Sequence, residues 1–282
     1  MTSPIYITKA MGDRELFSRE KLEDSLQRSG AQSDTVERVA DAIEAKLTPN
    51  MSTKQIYRMA FRLLAKEQRG SAARYNLKSA LFQLGPQGYP FERYVAKILE
   101  WGGYQVTVGS TLQGHCVSHE VDVLAEKDDR WYVVECKFHN EQYLKTNVQT
   151  IMAAKARFED IREARGELQD SKNKFSQSWV VTNTKFTGQA LQFGQCSHME
   201  LVSWNHPKGG SLRELIDRSG LHPVTALSSL SSSQKTFLLD KGTVLCRELG
   251  KNPTLLEEAG LTGKKLERVL NESKAVCEIG LS

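Results

Sequence analysis

The sequence predicts a multidomain α/β protein, and three observations support that class. The N-terminal segment has the pattern of a short strand followed by helices, the central segment alternates helices with strands, and the segment from about residue 209 is helical without a strand pattern. A GPQG run at residues 85–88 is the clearest break between segments. We therefore predict domains over residues 1–87, 88–208 and 209–282.

Composition excludes several classes of protein. Of the 282 residues, 39% are hydrophobic and 26% are charged, which is typical of a globular chain that buries ordinary cores. No apolar run is long enough to span a bilayer, and the N-terminus lacks the pattern of a secretory signal. Five cysteines without a CxxC pair argue against a disulfide framework, so we expect a cytoplasmic protein. A net charge of +4 permits nucleic-acid binding but does not argue for it.

The N-terminal elements are predicted from caps and apolar spacing. Ile5–Ile7 reads as a short strand, and Ser18 is a suitable N-cap for the helical apolar pattern that follows. After a proline break, Ser52 or Thr53 can cap the next helix. A further helix is expected over residues 72–84.

The central segment has the order helix, three strands, helix, strand, helix, strand, which is typical of a layered α/β structure. The predicted helices cover residues 91–101, 148–165 and 187–194. The predicted strands cover residues 104–108, 120–125, 131–138, 179–182 and 201–204.

Two of these strands carry the residues that indicate chemistry. Alternate residues of a strand share a face, so Glu135 and Lys137 point to one side while Cys136 points to the other, into the core. Asp122 lies in the preceding strand of the predicted hairpin, where it can approach Glu135. Two carboxylates beside a lysine suit a Mg²⁺ site that activates water for attack on a phosphodiester. Glu120 shares the face of Asp122 and is a candidate auxiliary ligand or electrostatic neighbour.

Two other interpretations of this region stay open. The Glu-x-Lys pattern also occurs at Glu44 and Glu272, in helical surroundings, so the strand could be an edge hairpin with exposed charges. A zinc site is the second alternative, and it would draw on the histidines and cysteines of this region, His115, Cys116, His119, Cys136 and His139.

Residues from about Tyr89 to Trp204 resemble the Mrr-type restriction endonucleases of the PD-(D/E)XK superfamily. The resemblance rests on an acidic helix residue, a metal-binding acid and a Glu-x-Lys element, and Val121 stands where many members have proline. It implies a mixed sheet between helices, and Mg²⁺ or Mn²⁺ held by Asp122 and Glu135. The catalytic residues that it implies are Glu92, Asp122, Glu135, Lys137 and Gln149, with Lys145 as an alternative to Gln149.

The N-terminal segment resembles the ATP-cone, a regulatory domain that binds ATP or dATP. The motif residues are Ile5-Tyr6-Ile7-Thr8-Lys9, Gly12, Glu15 and Phe17-Ser18-Arg19-Glu20-Lys21-Leu22. Ala10 departs from the basic residue found in many members. The resemblance implies that the nucleotide contacts are Ile7, Lys9, Glu15, Ser18, Lys21 and Thr53.

The C-terminal segment contains a weak resemblance to a helix-hairpin-helix over residues 255–266, in which Lys264 and Lys265 would meet DNA phosphate. An ordinary helical packing domain is the alternative. Together these features predict a Mg²⁺-dependent endonuclease that acts on DNA in restriction or repair and is regulated by ATP or dATP, with homo-oligomerisation left open. A non-catalytic, nucleotide-responsive DNA-binding regulator with a degenerate nuclease domain is the competing hypothesis.

Overall fold

Helices and strands alternate along the chain in a computed structural model, which describes residues 4–9, 12–85, 87–166 and 174–278. The strands in these ranges are β1 (Tyr6–Thr8), β2 (Arg14–Leu16), β3 (Gln105–Gln113), β4 (Ser118–Lys127), β5 (Arg130–Lys137), β6 (Lys145–Thr146), β7 (Lys174–Thr182), β8 (Lys185–Phe186) and β9 (Glu200–Val202). The helices are α1 (Arg19–Arg28), α2 (Ser33–Glu44), α3 (Thr53–Glu67), α4 (Arg69–Tyr75), α5 (Leu77–Leu81), α6 (Tyr89–Trp101), α7 (Val148–Gly166), α8 (Gly188–Cys196), α9 (Leu212–Ser219), α10 (Ser232–Asp240), α11 (Pro253–Glu258) and α12 (Gly263–Cys277). None of the helices in the described ranges is long and apolar enough to cross a membrane.

The chain divides into two compact units that interleave along the sequence. The first unit contains Met1–Ala80, Val224–Lys235 and Cys246–Ser282, and the second contains Leu81–Pro223 and Thr236–Leu245. This grouping differs from three consecutive domains, because the C-terminal helices α11 and α12 belong to the same unit as the N-terminal helices. The boundaries at residues 87 and 208 stay predictions.

The N-terminal part of the first unit forms as its caps and apolar spacing predict. β1 pairs antiparallel with β2, and Ile7 lies opposite Glu15. The Ser18 side chain caps α1 by accepting from the backbone N–H of Lys21, and Ser52 forms a capping box with Gln55 at the start of α3. Apolar side chains one helical turn apart then meet in one core, which includes Leu26, Ile43 and Leu64.

The C-terminal helix α12 packs closely on α4 within the same unit. A Cβ added at Gly70 would lie 2.8 Å from the backbone oxygen of Ala275, so only glycine permits this approach. The Arg74 guanidinium donates to the backbone oxygens of Ser29, at 2.7 Å, and Ala275, at 2.8 Å. The N- and C-terminal parts of this unit are therefore joined by backbone contact and by a shared arginine.

The second unit is built on a five-stranded mixed sheet in the order β3-β4-β5-β7-β9. β3, β4 and β5 are antiparallel neighbours, whereas β5, β7 and β9 run parallel. The helices α6 and α7 pack against the sheet, and Phe91 and Tyr94 of α6 are fully buried. This confirms the predicted mixed α/β arrangement, to which the structure adds the two-residue pair β6 and β8.

The hairpin of β4 and β5 positions the candidate catalytic residues. Lys127 pairs with Arg130, so the connection consists of Asp128 and Asp129 alone. Both residues have positive φ, 53° and 58°, as a type I′ turn requires. A turn of this kind fixes which residues of the two strands lie opposite each other.

Candidate functional site

The β4–β5 hairpin brings Asp122 and Glu135 together. The paired register ends at Val123 opposite Val134, and one further step along both strands places Asp122 opposite Glu135. The Cys136 backbone N–H donates to Oδ2 of Asp122 at 2.7 Å, which fixes the carboxylate against β5. The side chains that the sequence assigns to one ribbon therefore lie side by side.

Glu92, on α6, joins this pair. Burial, and then the negative charges of Asp122 and Glu135, raise the pKa of the Glu92 carboxyl to about 7. Burial also raises the pKa of Asp122, and the charge of Glu135 raises it too. The hydrogen bond from the Cys136 backbone N–H acts in the opposite direction and lowers this pKa. Three carboxyl groups that repel one another in a partly buried place favour a cation between them.

Two cationic side chains face the carboxylates. Lys137 is exposed, and its charge lowers the pKa of Asp122. Arg157, from α7, donates from Nη1 to Oε2 of Glu135 and also lowers the pKa of Asp122. The sequence prediction did not include Arg157, because its contact with Glu135 depends on how α7 packs against the sheet.

The remaining predicted residues of this region are not brought into the cluster. Gln149 is exposed in the first turn of α7, and its side chain makes no hydrogen bond within the part of the chain that the structure describes. Lys145, in β6, and Glu120, in β4, are also exposed. The role of Gln149 therefore stays a prediction.

The carboxylates of this site form a donor set suited to few kinds of metal ion. Among residues 4–9, 12–85, 87–166 and 174–278, no group of three or more His, Cys, Asp or Glu side chains is arranged to hold a metal. Magnesium, however, is bound in proteins by one or two carboxylates and keeps several waters. Asp122 and Glu135 fit such an ion, which would relieve the repulsion that both exert on Glu92. Arg157 would then share the carboxylate of Glu135 with the ion.

The residues proposed as zinc ligands do not form one cluster. Nε2 of His119 lies 2.6 Å from Oδ2 of Asp160, and Nε2 of His139 lies 3.0 Å from the Thr146 hydroxyl. Cys136 is buried, and burial raises the pKa of its thiol, so it faces the core as the strand alternation predicts. These side chains serve packing and local hydrogen bonding.

Further hydrogen bonds hold both ends of the hairpin. Asp160 of α7 accepts from the Cys116 backbone N–H at 2.8 Å in the β3–β4 connection, in addition to its contact with His119. Beyond Lys137, the buried Asn183 side chain accepts from the His139 N–H at 2.9 Å and donates to the His139 oxygen at 2.8 Å. The backbone is therefore held in place two residues after Lys137, at His139.

A second candidate site lies in the first unit, at the start of α1. Five of the six residues predicted to contact nucleotide, namely Ile7, Glu15, Ser18, Lys21 and Thr53, line a cavity of about 220 Å³. The sixth, Lys9, forms an ion pair with Glu15.

The charges and rings of this cavity suit a nucleotide. Lys21 and then Lys9 lower the pKa of the Glu15 carboxyl to about 2 through their hydrogen bonds. Tyr57 and Tyr75, which the sequence prediction missed, also line the cavity, and their rings stack with centroids 5.1 Å apart. The lysines are suited to bind phosphate, and the tyrosine rings are suited to contact a base.

Two protein-family models match this chain. A family described as restriction endonuclease matches residues 86–206, which contain the carboxylate cluster. A family described as AF1548-like, C-terminal, matches residues 222–277. Residues 1–85 lie outside both matches.

Relatives cover most of the matched region. A protein of Archaeoglobus fulgidus, named only as uncharacterized, is 34% identical over 183 residues, which are 64% of this chain and 99% of the relative. The crystal structure of AF1548, a protein of unknown function, is 34% identical, with a TM-score of 0.55 over 67% of this chain and 97% of that one. Can2 from Sulfobacillus thermosulfidooxidans, solved with cyclic tetra-adenylate, is 17% identical, with a TM-score of 0.32 over 65% of this chain and 51% of its own. That last similarity is too low to bear on fold or function.

Proposed function

This chain belongs to the family of AF1548-like proteins and carries a restriction-endonuclease domain, and we propose that it is a metal-dependent nuclease that hydrolyses DNA phosphodiester bonds. The observation that supports this proposal is the meeting of Glu92, Asp122 and Glu135 beside Lys137. Restriction or DNA repair is the setting that we propose for this activity.

Each side chain has a role in the proposed reaction. Asp122 and Glu135 would hold Mg²⁺ or Mn²⁺, which would supply an activated water and neutralise charge on the phosphate. Lys137 orients that water or donates to the phosphate oxygens as negative charge develops on them. Glu92 assists the ion or its water, and Arg157 holds Glu135 in position.

The substitutions Asp122→Asn and Lys137→Met test these roles. Asp122→Asn removes a metal-binding charge and Lys137→Met removes the amine, so we expect each to lower plasmid cleavage at least about 100-fold. Glu126→Gln, on the same strand face four residues away, is the matched control and should cleave normally. Cleavage is measured with Mg²⁺, with Mn²⁺ and with EDTA, and normal cleavage by either test variant would refute the assignment.

The competing hypothesis is a non-catalytic, nucleotide-responsive regulator that binds DNA. It predicts that the wild-type protein binds DNA but does not cleave it with Mg²⁺ or with Mn²⁺, whether or not ATP is present. Metal-dependent nicking by the wild type, lost in Asp122→Asn, would exclude it.

We further propose that the cavity at the start of α1 binds ATP or dATP as a regulatory ligand, as the ATP-cone resemblance implies. Lys9 and Lys21, which now pair with Glu15, are the cations that a triphosphate would recruit. A ligand that binds only the folded state raises its melting temperature by mass action. We expect ATP to raise the melting temperature of the wild type but not that of Lys21→Ala, whereas the exposed Lys46→Ala control should respond like the wild type. An equal ATP response in Lys21→Ala would count against the pocket.

A further inference from the structure

A wide polar cleft lies within the first unit, apart from the cavity at the start of α1. Its volume is about 1020 Å³, and its walls come from the α3–α4 corner on one side and from α12 on the other. Lys66 and Arg69 stand on the first wall, and Lys264 and Arg268 stand on the second. None of the residues assigned to metal or nucleotide contact lines this cleft.

The four cations of this cleft are uncommitted. Within the described ranges, none of the four forms an ion pair or hydrogen bond, and all four are exposed. Two further arginines at the cleft are engaged: Arg38 pairs with Glu67 at 2.6 Å, and Arg74 donates to backbone oxygens. Four positive charges in the cleft are therefore available to a ligand.

The acidic residues of the cleft offset these charges only in part. Glu67 is engaged by Arg38, and the buried Glu272 accepts from Ser228 and Ser229. Glu267 and Glu278 are exposed on the α12 side. Two exposed carboxylates against four free cations leave the cleft positive, so its chemistry favours an anionic ligand.

The walls are held in place before any ligand arrives. The contact of Gly70 with Ala275 sets the distance between α4 and α12, and Arg74 bridges the two parts of the unit. Lys264 and Arg268 are four residues apart and project from one face of α12. A preformed cleft loses little conformational entropy when it binds.

We propose that this cleft binds the phosphodiester backbone of nucleic acid, with Lys66, Arg69, Lys264 and Arg268 as phosphate contacts. The cations stand on two walls of a cleft of about 1020 Å³, which is large for one small anion and suits a row of phosphates better. A free nucleoside triphosphate offers the same chemistry, and the experiment distinguishes it. This site is separate from the proposed cleavage chemistry and does not depend on it.

The test measures binding of the full chain to fluorescein-labelled DNA by anisotropy in EDTA, so that cleavage plays no part. A short duplex and a single strand are titrated over a range of salt concentrations. Each lost phosphate contact lowers the salt slope by about 0.9 for duplex DNA, and affinity roughly eightfold at about 0.1 M salt. We therefore expect Lys264→Gln/Arg268→Gln, and Lys66→Gln/Arg69→Gln on the other wall, each to weaken duplex binding about 50-fold and to lower the slope by about 2.

One control makes the same charge change outside the cleft. Arg58→Gln/Arg62→Gln removes two exposed arginines of α3 that do not line the cleft. We expect it to bind like the wild type and all variants to keep the wild-type melting curve. An equal loss in the control and the test variants would overturn the proposal, as would displacement of DNA by ATP that depends on Lys264 and Arg268. Because binding is measured in EDTA, a failed cleavage assay leaves this result unaffected.

Discussion

Glu92 is a half-buried carboxyl that the fold surrounds with two other acids, Asp122 and Glu135. Its pKa is raised from 4.5 to about 7, first by burial and then by those charges. Between pH 4.5 and about pH 7, Glu92 therefore keeps its proton in the folded protein but has lost it in the unfolded chain. As the pH rises through this window, Glu92 ionises in an unfavourable place and stability falls.

The substitution Glu92→Gln should remove this penalty. We expect the metal-free variant to melt a few degrees above the wild type at about pH 8, and to lose that advantage at about pH 3, where Glu92 is protonated in both states. Calorimetry at both pH values, with EDTA present, measures the difference. A gain that is the same at both would show that packing, and not charge, is responsible.

Arg157 shows what a residue-by-residue analysis of the sequence misses. Strand alternation is a local pattern, so it placed Glu135 and Lys137 on one face and Cys136 in the core, and the structure agrees. The pairing of Arg157 with Glu135 joins residues 22 apart and depends on how α7 returns to the sheet. Stacked Tyr57 and Tyr75 likewise come from different helices, and no spacing in the sequence brings them together.

At the level of elements, the turn between β4 and β5 is the feature that fixes the site. Asp129 has a φ of 58°, which glycine adopts without strain and β-branched residues adopt only at a cost. We expect Asp129→Gly to stabilise the protein by about 0.5 kcal/mol and Asp129→Val to destabilise it by about 1–2 kcal/mol. Urea unfolding measures both changes, and an undiminished stability in Asp129→Val would contradict a type I′ turn.

The elements themselves were largely predictable, because caps and periodicity are local. Ser18 and Ser52 begin helices where the sequence predicts, and the helix-strand order of the central segment is confirmed. The expected helix over residues 72–84 instead breaks between α4 and α5 at Asn76, where no glycine or proline marks an end. The paired β6 and β8 are two residues each, too short for an alternating pattern, and their pairing is non-local.

For the molecule as a whole, regulation by nucleotide carries a thermodynamic obligation. If ATP changes the affinity of the protein for DNA by some factor, DNA must change the affinity for ATP by the same factor. We expect equal factors, between about 5 and 150, when each ligand is titrated with and without the other in EDTA. Lys21→Ala should abolish both effects together. No change in either titration would contradict the regulatory proposal while leaving catalysis untouched.

The interleaving of the two units has a consequence for how the protein is made. Arg74, whose guanidinium is partly buried, is translated 201 residues before its acceptor Ala275. At a synthesis rate of about 5–20 residues per second, the ribosome needs roughly 10–40 s to deliver that acceptor. The helices before Arg74 therefore lack this contact for that time, and a nascent chain that stops before α12 would leave Arg74 without its acceptor at Ala275.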